Sequence, residues 1–434
     1  MTWVCLNLLS TITGVSMRKR SGLRRVAVSL ASAAVAALAI SGCSTAPKVE
    51  PDVPAQVEGG FPAETQAQLE SAVTFAMAAT GSTGAVVGVW SPWSGSWVSG
   101  VGDASADDAF RVADLTRPMT CDLLYAMADE GLVSLDDEVR DRVPSVAGLK
   151  GVTLEMLCDG TSGLGSYAPA LQQKWLELPD RRWNPNELAA YGTVGYDPTT
   201  AGVAWRDSDT GYVLLGIALE NAANQSAASL LSANVFTPLG LTTTSLPGRA
   251  SAPAGDPVLR GYLSQPGEDG ALNCAEPRDV TTMSASSGFT DSGVVSTITD
   301  VGRYTQALAV GALLPEGIDR FGSPQQLSPD LPSWLTTDGG AVQAGSLVGQ
   351  FGSVAGYITA AFADPATGMT VAVALNNSAA SDLVGAYLAW ELASSASTAP
   401  AASGQTAPDA GLPWTAQQYH DAIAASAVCP LPES

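Results

Sequence analysis

Histidine is almost absent from this sequence of 434 residues, since His420 is its only copy. A histidine-based zinc site or a Ser-His-Asp triad would have to use that single residue near the end of the chain. Lysine is also rare, and after position 43 it occurs only at Lys48, Lys150 and Lys174. None of these lysines follows a serine by three positions, and the chain contains no Gly-x-Ser-x-Gly sequence. Two common nucleophile motifs are therefore excluded from this part of the chain.

Positive charge is scarce throughout the sequence. Twenty lysines and arginines stand against 42 aspartates and glutamates, for a formal net charge of −22. Such a surface repels the phosphates of nucleic acids, so nucleic acid is excluded as a partner. A hydrophobic content of 46% excludes a chain that is disordered throughout and is sufficient for a large buried core. We expect a monomer that needs neither a metal nor a cofactor.

Residues 1–42 have the pattern of an export signal. A basic stretch that begins at Met17 precedes an apolar run over residues 26–40, which is too short to span a bilayer comfortably. The run leads into Ile-Ser-Gly-Cys at residues 40–43, which is similar to the lipobox of bacterial lipoproteins. We therefore predict translation from Met17 and lipidation of Cys43, which would anchor the protein at the extracellular face of the cytoplasmic membrane. The alternative is an ordinary cleaved signal with a chance cysteine.

Composition divides the exported chain into a domain and its connecting segments. Residues 43–60 form a flexible tether, residues 61–395 carry the periodic patterns of a folded domain, and residues 396–412 form a linker rich in Ala, Ser and Pro. Residues 413–434 form a tail with a short helical pattern before Cys429. We predict that this cysteine holds the tail against the domain.

The hydrophobic periodicity predicts strands at both ends of the domain and helices between them. A hairpin is expected over 84–90 and 95–102, and two further strands over 356–362 and 369–375. Helices are expected over 66–79, 115–130, 153–158, 211–223, 226–234, 299–309, 381–394 and 414–427. This order indicates a mixed α/β (α+β) fold. One sheet is assembled from the N- and C-terminal segments and flanked by helices, and a mostly helical subdomain is inserted in the middle.

Four cysteines follow Cys43, at Cys121, Cys158, Cys274 and Cys429. An even number in an exported protein predicts two disulfides, and three pairings are possible. Because Cys429 follows a flexible linker and Cys274 lies in a polar loop, we favour a bond between these two.

Seven blocks of the sequence carry a family resemblance. Residues 110–117 have the sequence FRVADLTR, similar to F-R-I-A-S-x-T-K, and residues 152–164 have VTLEMLCDGTSGL, similar to I-T-x-x-x-L-L-S-H-T-S-G-L. The other blocks lie at 130–144, 209–216, 260–262, 292–300 and 348–357. In this order they resemble the β-lactamase-related family of penicillin-recognising serine hydrolases, which includes D-Ala-D-Ala carboxypeptidases. The resemblance covers about residues 62–395 and implies a β-lactamase/transpeptidase-like fold with an antiparallel sheet.

The same resemblance implies that the family's catalytic groups are missing. The family uses a serine nucleophile three residues before a lysine, and the matching positions here are Asp114 and Arg117. Its Tyr-x-Asn element is matched by Asp207 and Asp209, and the cation of its strand motif by Gln350. A carboxylate does not replace the serine hydroxyl, and Arg117 cannot act as a base because arginine has a pKa above about 12. We expect no catalytic residue among these five positions.

We predict instead that the altered cleft binds a ligand. Its predicted lining consists of Asp114, Arg117, Arg206, Asp207, Asp209, Gln350, Phe351 and Ser353. The three carboxylates favour a cationic group, and the family resemblance implies a peptide or small molecule derived from the cell wall.

Two other hypotheses remain. The first is an active hydrolase with re-wired residues, in which Asp207 is a general base and Asp114 or Asp209 is an acid whose pKa is raised by neighbouring carboxylates. The second is a structural or interaction lipoprotein whose cleft is closed by the Asp114–Arg117 pair and by Phe351. A hard-cation site made of the three carboxylates and Gln350 is a variant of the binding hypotheses.

The resemblance also bears on the remaining two cysteines. It places Cys121 on the helix that follows Asp114 and Cys158 on the helix before the Thr-Ser-Gly sequence, with both side chains directed to one helical core. It therefore implies a disulfide between Cys121 and Cys158, and two buried free thiols are the alternative.

Overall fold

A computed structural model describes residues 48–249, 252–268 and 270–431. The predicted signal segment and the lipidation site Cys43 lie outside the described residues. Within the described ranges, no helix combines the length and the apolar character that a membrane crossing requires.

An antiparallel sheet of eight strands forms the centre of the domain, in the order β2-β1-β12-β11-β10-β9-β8-β7. Two short antiparallel pairs, β3 with β6 and β4 with β5, lie outside this sheet. The strands are β1 (Gly84–Ser91), β2 (Gly95–Gly102), β3 (Phe110–Arg111), β4 (Tyr262–Leu263), β5 (Arg278–Asp279), β6 (Val295–Ser296), β7 (Gln325–Gln326), β8 (Leu335–Asp338), β9 (Ala341–Ala344), β10 (Leu347–Val354), β11 (Tyr357–Ala363) and β12 (Thr370–Leu375).

Helices surround the sheet and form the segment between its N- and C-terminal strands. Short 3-10 helices also occur at Ala113–Leu115, Pro198–Thr200 and Ala285–Ser287. The α-helices are α1 (Ala63–Thr80), α2 (Thr116–Asp129), α3 (Val139–Arg142), α4 (Leu154–Cys158), α5 (Ala168–Glu177), α6 (Pro185–Gly192), α7 (Asp209–Ala223), α8 (Ala227–Leu231), α9 (Thr237–Leu239), α10 (Phe289–Ser292), α11 (Ile298–Ala309), α12 (Leu383–Ser397) and α13 (Ala416–Ala425).

Both faces of the sheet are covered, which explains why its central strands are apolar on both sides. One apolar cluster joins the sheet to α1, α12 and α13, and a second joins the opposite face to α2, α7 and α11. Successive side chains of a strand point to opposite faces. Accordingly, Val86 of β1 belongs to the second cluster, whereas its neighbours Ala85 and Val87 belong to the first.

The fold class predicted from the sequence is confirmed. β1 pairs with β2 as a hairpin and also with β12, so the N-terminal and C-terminal segments share one sheet. Each predicted helix is present with its ends shifted by a few residues. The helix expected over 226–234 is divided, because α8 ends at Leu231 and a π-helix continues over Ser232–Phe236.

Several elements were not predicted from the apolar periodicity, among them the helices α5 and α6 and the strands β7, β8, β9 and β10. Within α5 only Leu171 is fully buried, so this helix has little apolar periodicity. The strands β8 and β9 have four residues each and are joined by Gly339 and Gly340. Short segments of this kind become strands because their neighbours in the sheet supply the hydrogen bonds.

Two disulfides connect distant parts of the chain. Cys121 on α2 is bonded to Cys158 at the end of α4, with a Cα–Cα distance of 5.6 Å. This bond was predicted, and the alternative of two free thiols is wrong. The structure also joins Cys274 to Cys429, across a sequence separation of 155 residues.

The segment after α12 lies against the domain. The Ala402 amide donates to the Trp93 carbonyl at 2.8 Å, and the Ser94 hydroxyl donates to the Pro400 carbonyl at 2.7 Å. Beyond it, the Trp414 indole packs beside Trp390 of α12 and donates a hydrogen bond to its carbonyl at 3.0 Å. The tail is therefore held by apolar packing as well as by Cys429.

Candidate ligand-binding site

Arg117 lies in the first turn of α2 and binds four carboxylates. Its Nε contacts Asp291 at 2.9 Å, its Nη1 contacts Asp207 at 2.6 Å, and its Nη2 contacts Asp209 at 2.9 Å. A longer contact of 3.3 Å joins Nη2 to Asp114. Every nitrogen of the guanidinium group is thus engaged. We call these five residues the Arg117 cluster.

The backbone turn that carries Asp114 lies close to a strand of the sheet. Asp114 lies in the 3-10 turn Ala113–Leu115, where Ala113 has a φ of +51°. An alanine in this left-handed region is strained by about 1–2 kcal/mol, so the surrounding packing must hold the turn in place. Strand β10 passes directly beside it, since a Cβ atom on Gly352 would lie 2.3 Å from Asp114 Cγ. Glycine is therefore required at position 352.

Two helices bring the other carboxylates to Arg117. Asp209 is the first residue of α7, and the preceding Ser208 caps this helix by accepting a hydrogen bond from the Gly211 amide. Asp291 lies on the short helix α10, which is tied to α7 by a hydrogen bond from the Thr290 hydroxyl to the Tyr212 carbonyl. The ring of Tyr212 also lies 5.0 Å below the Arg117 guanidinium, in a cation–π contact.

The burial of the cluster changes the ionisation of its carboxyl groups. Burial raises the pKa of Asp209 to about 7, with the charge of Asp291 adding to the effect and Arg117 opposing it. Burial also raises the pKa of Asp291, and it raises that of Asp114 well above its usual range, again against the attraction of Arg117. One arginine does not compensate four closely spaced carboxylates, so protons remain bound at mildly acidic pH.

The Arg117 cluster borders a cavity of about 340 Å³, which we call the acidic cavity. Its carboxyl groups come from the cluster and from Asp382 at the start of α12. Aromatic and aliphatic side chains form much of the rest of the wall. Its uncharged polar side chains are those of Ser166, Gln172, Ser287, Ser292, Ser353 and Ser378. The apolar members are Tyr167, Ala168, Pro169, Trp175, Leu176, Leu263, Met283, Val354 and Ala355.

The structure brings five of the eight predicted ligand-binding residues together and places three elsewhere. Asp114, Arg117, Asp207, Asp209 and Ser353 line the acidic cavity. The remaining three, Arg206, Gln350 and Phe351, do not line it, for the following reasons.

Each of these three side chains has another partner. Gln350 donates to the Gly340 carbonyl at 2.8 Å and accepts from the Phe351 amide at 2.8 Å, so its amide is used within the sheet. Phe351 packs edge-to-face against Trp390, with ring centroids 6.3 Å apart, in the cluster beneath α12. Arg206 is exposed and donates to the Gly163 carbonyl at 3.1 Å.

These positions correct two of the sequence hypotheses. The cleft is not closed by the Asp114–Arg117 pair and Phe351, because the acidic cavity is open and Phe351 lies in the apolar core. The hard-cation site with Gln350 does not form either. Among the described residues, no group of three or more His, Cys, Asp or Glu side chains is arranged to hold a metal ion.

The sequence profile of the Beta-lactamase family matches residues 69–394. The chain belongs to this family.

Two curated relatives are similar over part of their length. A penicillin-binding protein of Bacillus subtilis strain 168 is 27% identical over 203 residues, which are 46% of this chain and 44% of that protein. The D-alanyl-D-alanine-carboxypeptidase/endopeptidase AmpH of Escherichia coli K12 is 28% identical over 220 residues, which are 46% of this chain and 49% of that protein. The chain thus spans about half the length of the curated relatives it matches.

A solved structure supports the same family at the level of the whole domain. The D-stereospecific amidohydrolase from a Streptomyces species has a TM-score of 0.64 and 27% sequence identity. The match covers 73% of this chain and 94% of the amidohydrolase. The β-lactamase/transpeptidase-like architecture implied by the sequence is therefore confirmed.

Two residues of the site in this Beta-lactamase family domain were not predicted from the sequence. Asp291 precedes a block that resembles the family, and Asp382 lies in a helix whose N-terminus gave no functional signal. From the sequence alone, an acidic residue in a short polar segment is expected to be exposed to solvent. Only the packing of α10 beside α2, and of α12 beneath the sheet, brings these carboxyl groups to the acidic cavity.

Gly160, which the resemblance aligns with the histidine of His-Thr-Ser-Gly, is also explained by the structure. It has a φ of +71°, and a Cβ atom on it would lie 2.6 Å from the Trp205 indole nitrogen. Trp205 therefore occupies the space that a side chain at position 160 would need.

Proposed function

We propose that this protein is a non-catalytic member of the Beta-lactamase family that binds a cell-wall-derived peptide or small molecule at the cell envelope. The observation that carries the proposal is the Arg117 cluster, in which an aspartate and an arginine replace a serine–lysine pair and bind further carboxylates. The acidic cavity beside it supplies the space for a ligand.

The chemistry of the cluster argues against acyl transfer. Burial lowers the pKa of Arg117, but the surrounding carboxylates outweigh it and hold this pKa well above its usual range, so Arg117 is no proton acceptor. Attack by the Asp114 carboxylate on an acyl carbon would give an anhydride, which is more reactive than the ester formed by a serine. The Asp114 carboxyl is also tied to Arg117 at 3.3 Å. Binding without turnover is the function these groups support.

A fluorescent penicillin and the chromogenic substrate nitrocefin test this proposal. We expect neither covalent labelling nor hydrolysis by the purified domain, because no serine hydroxyl is paired with a lysine at the start of α2. An active member of the family serves as the positive control in both assays. Labelling or turnover that disappears in the Asp114→Asn variant would contradict the proposal.

One observation favours a second candidate, an active hydrolase with re-wired residues. The pKa of Asp209 is raised to about 7 by its burial, and its backbone amide donates a hydrogen bond at 3.2 Å to the hydroxyl of Ser166, which also lines the acidic cavity. A carboxyl group that titrates near neutral pH suits general acid catalysis. The candidate predicts release of ammonia from D-amino acid amides, the class suggested by the D-stereospecific amidohydrolase, with loss of activity in Asp209→Asn.

We propose that the protein acts as a lipoprotein, since residues 40–43 resemble a lipobox. Replacing Cys43→Ser removes the acceptor for the lipid. We expect the natural chain in the membrane fraction of expressing cells, and the variant chain in the soluble fraction or with its signal uncleaved. Cell fractionation with immunoblotting and metabolic labelling by a fatty acid analogue measure this. Equal labelling of both chains would exclude Cys43 as the anchor.

A further inference from the structure

The acidic cavity has an unusual balance of charge. Five aspartates line it, the four of the Arg117 cluster and Asp382. Among the described lining residues, Arg117 is the only lysine or arginine, and all of its nitrogens already contact carboxylates. A carboxylate group of a ligand in this cavity would be repelled by the aspartates. It would find no unpaired lysine or arginine among the described lining residues. Ligands with a negative charge are therefore disfavoured, and an ammonium group is favoured.

Part of the wall of the acidic cavity is apolar. Tyr167, Trp175 and Leu176 form much of it. The Trp175 indole N–H is buried and finds no acceptor among the described residues. This N–H has an exposed area below 1 Å², so a ligand in the cavity would contact the apolar ring of Trp175 and not this donor. The wall therefore suits the apolar portions of a ligand whose charge lies among the carboxyl groups.

A second cavity of about 430 Å³ continues from the first. Four residues line both cavities, namely Gln172, Leu176, Leu263 and Ser378. The second cavity adds mainly uncharged polar groups, with one arginine and one glutamate. Those that lie beyond the shared wall include Gln173, Glu177, Gln265 and Arg278. The space is thus longer than one amino acid and changes from acidic to nearly neutral along its length.

We propose that the cleft holds the free amino terminus of a short peptide. The ammonium group lies among the carboxylates of Asp207, Asp209 and Asp382, and the following residues run past Leu176 and Leu263 into the second cavity. This inference rests on the proposed binding function and adds the class of ligand and its direction in the cleft. It also accounts for the absence of an unpaired lysine or arginine among the described lining residues, since only a ligand with a carboxylate would need such a group.

Proton release accompanies such binding. The pKa of Asp209 is raised to about 7 by its burial and by Asp291, while Arg117 lowers it, and burial also raises the pKa of Asp382. A bound ammonium favours the charged carboxylates, so protons leave as the ligand enters. The ionised fraction of a group with a pKa of 7 increases about tenfold between pH 6 and pH 8, but about half of the peptide α-amino groups, with a pKa of about 8, lose their proton at pH 8. Affinity should therefore increase by up to about fivefold over this range. The charged and titratable groups that face Asp209 are Arg117, Asp114, Asp207, Asp291 and Tyr167.

Isothermal titration calorimetry with three small peptides tests the inference. The probes are D-alanyl-D-alaninamide, which carries only an ammonium, N-acetyl-D-alanyl-D-alanine, which carries only a carboxylate, and the doubly blocked neutral form. We expect binding of the first alone, tighter at pH 8 than at pH 6, with heats that depend on the ionisation enthalpy of the buffer. Equal or tighter binding of the carboxylate probe overturns the inference, and so does failure of the first probe to bind.

Two variants locate the ends of the ligand. Asp207→Asn should weaken the amide probe about tenfold or more, whereas Asp107→Asn, which removes one negative charge from an exposed site outside the cavity, should leave the affinity unchanged. Gln265→Ala, at the second cavity, should weaken a tripeptide amide and leave D-alaninamide unaffected. Equal effects of Asp207→Asn and Asp107→Asn would overturn the placement of the ammonium group.

The failure of this inference is distinguishable from failure of the proposed function. Binding of a carboxylate peptide without turnover would leave a non-catalytic binding protein and reject the amino-terminal ligand. Hydrolysis of the amide probe would retain the ligand class and reject the non-catalytic function.

Discussion

Replacing Arg117→Met should lower the free energy of unfolding by about 3–5 kcal/mol at pH 8, because it leaves several buried carboxylates without their shared cation. The side chain of Arg117 is only 8% exposed, and those of Asp209 and Asp291 are 12% and 4% exposed. Methionine has a similar length and does not supply a charge. Urea unfolding followed by circular dichroism measures the loss.

The pH dependence of this loss follows from the raised pKa values. The folded-state pKa values of Asp114, Asp209 and Asp291 lie above those of an unfolded chain, near about 3.9. Their contribution to stability is therefore complete below the unfolded pKa and is lost as the pH rises through the folded value, about 7 for Asp209. The deficit of Arg117→Met should accordingly be smaller at pH 5 than at pH 8.

An exposed arginine provides the control. Arg140 pairs with Glu138 at 2.8 Å, and its side chain is 46% exposed. Arg140→Met should cost less than about 1 kcal/mol, because solvent screens such pairs. A loss of similar size in both variants, or a deficit for Arg117→Met that does not change with pH, would show that the Arg117 cluster is not electrostatically coupled as described.

Removing the Cys121–Cys158 disulfide with paired alanine substitutions should lower the free energy of unfolding by about 2–4 kcal/mol. The bond spans a sequence separation of 37 residues and lies in the core, with both cysteines fully buried. It joins α2, which carries Arg117, to α4, so its loss affects the unfolded chain and also the support beneath the cluster. Urea unfolding of the double variant gives the magnitude.

The second disulfide gives a contrasting case. Removing Cys274 and Cys429 should free the tail locally, since α13 can detach while the sheet remains intact, although Trp414 still packs against Trp390. We expect faster hydrogen exchange and proteolysis confined to the tail, with a smaller shift of the main unfolding transition. A larger decrease in the free energy of unfolding for this variant than for the Cys121–Cys158 variant would contradict the prediction. It would show that the Cys274–Cys429 bond contributes more to the stability of the whole domain.

Much of the fold follows from local patterns in the sequence. The hairpin of β1 and β2, the strands β11 and β12 and the helix α2 each have an apolar periodicity that matches their structure. The short strands β8 and β9 do not, because their hydrogen-bonding partners come from other parts of the chain. The residues of the Arg117 cluster were predicted in part, since Asp114, Arg117 and Asp209 lie in blocks that resemble the family and Asp207 matches the first position of its Tyr-x-Asn element.

The sequence by itself determined the scarcity of histidine and lysine, the acidic charge, the family and the replacement of a serine–lysine pair by Asp114 and Arg117. These are properties of residue identity and spacing along the chain. Only the tertiary structure decided that Asp291 and Asp382 join the site and that Gln350 and Phe351 do not. The reason is that side-chain neighbours depend on the packing of α10, α12 and β10. These elements are distant in sequence, so only their packing in the folded domain determines which of their polar groups reach the cavity.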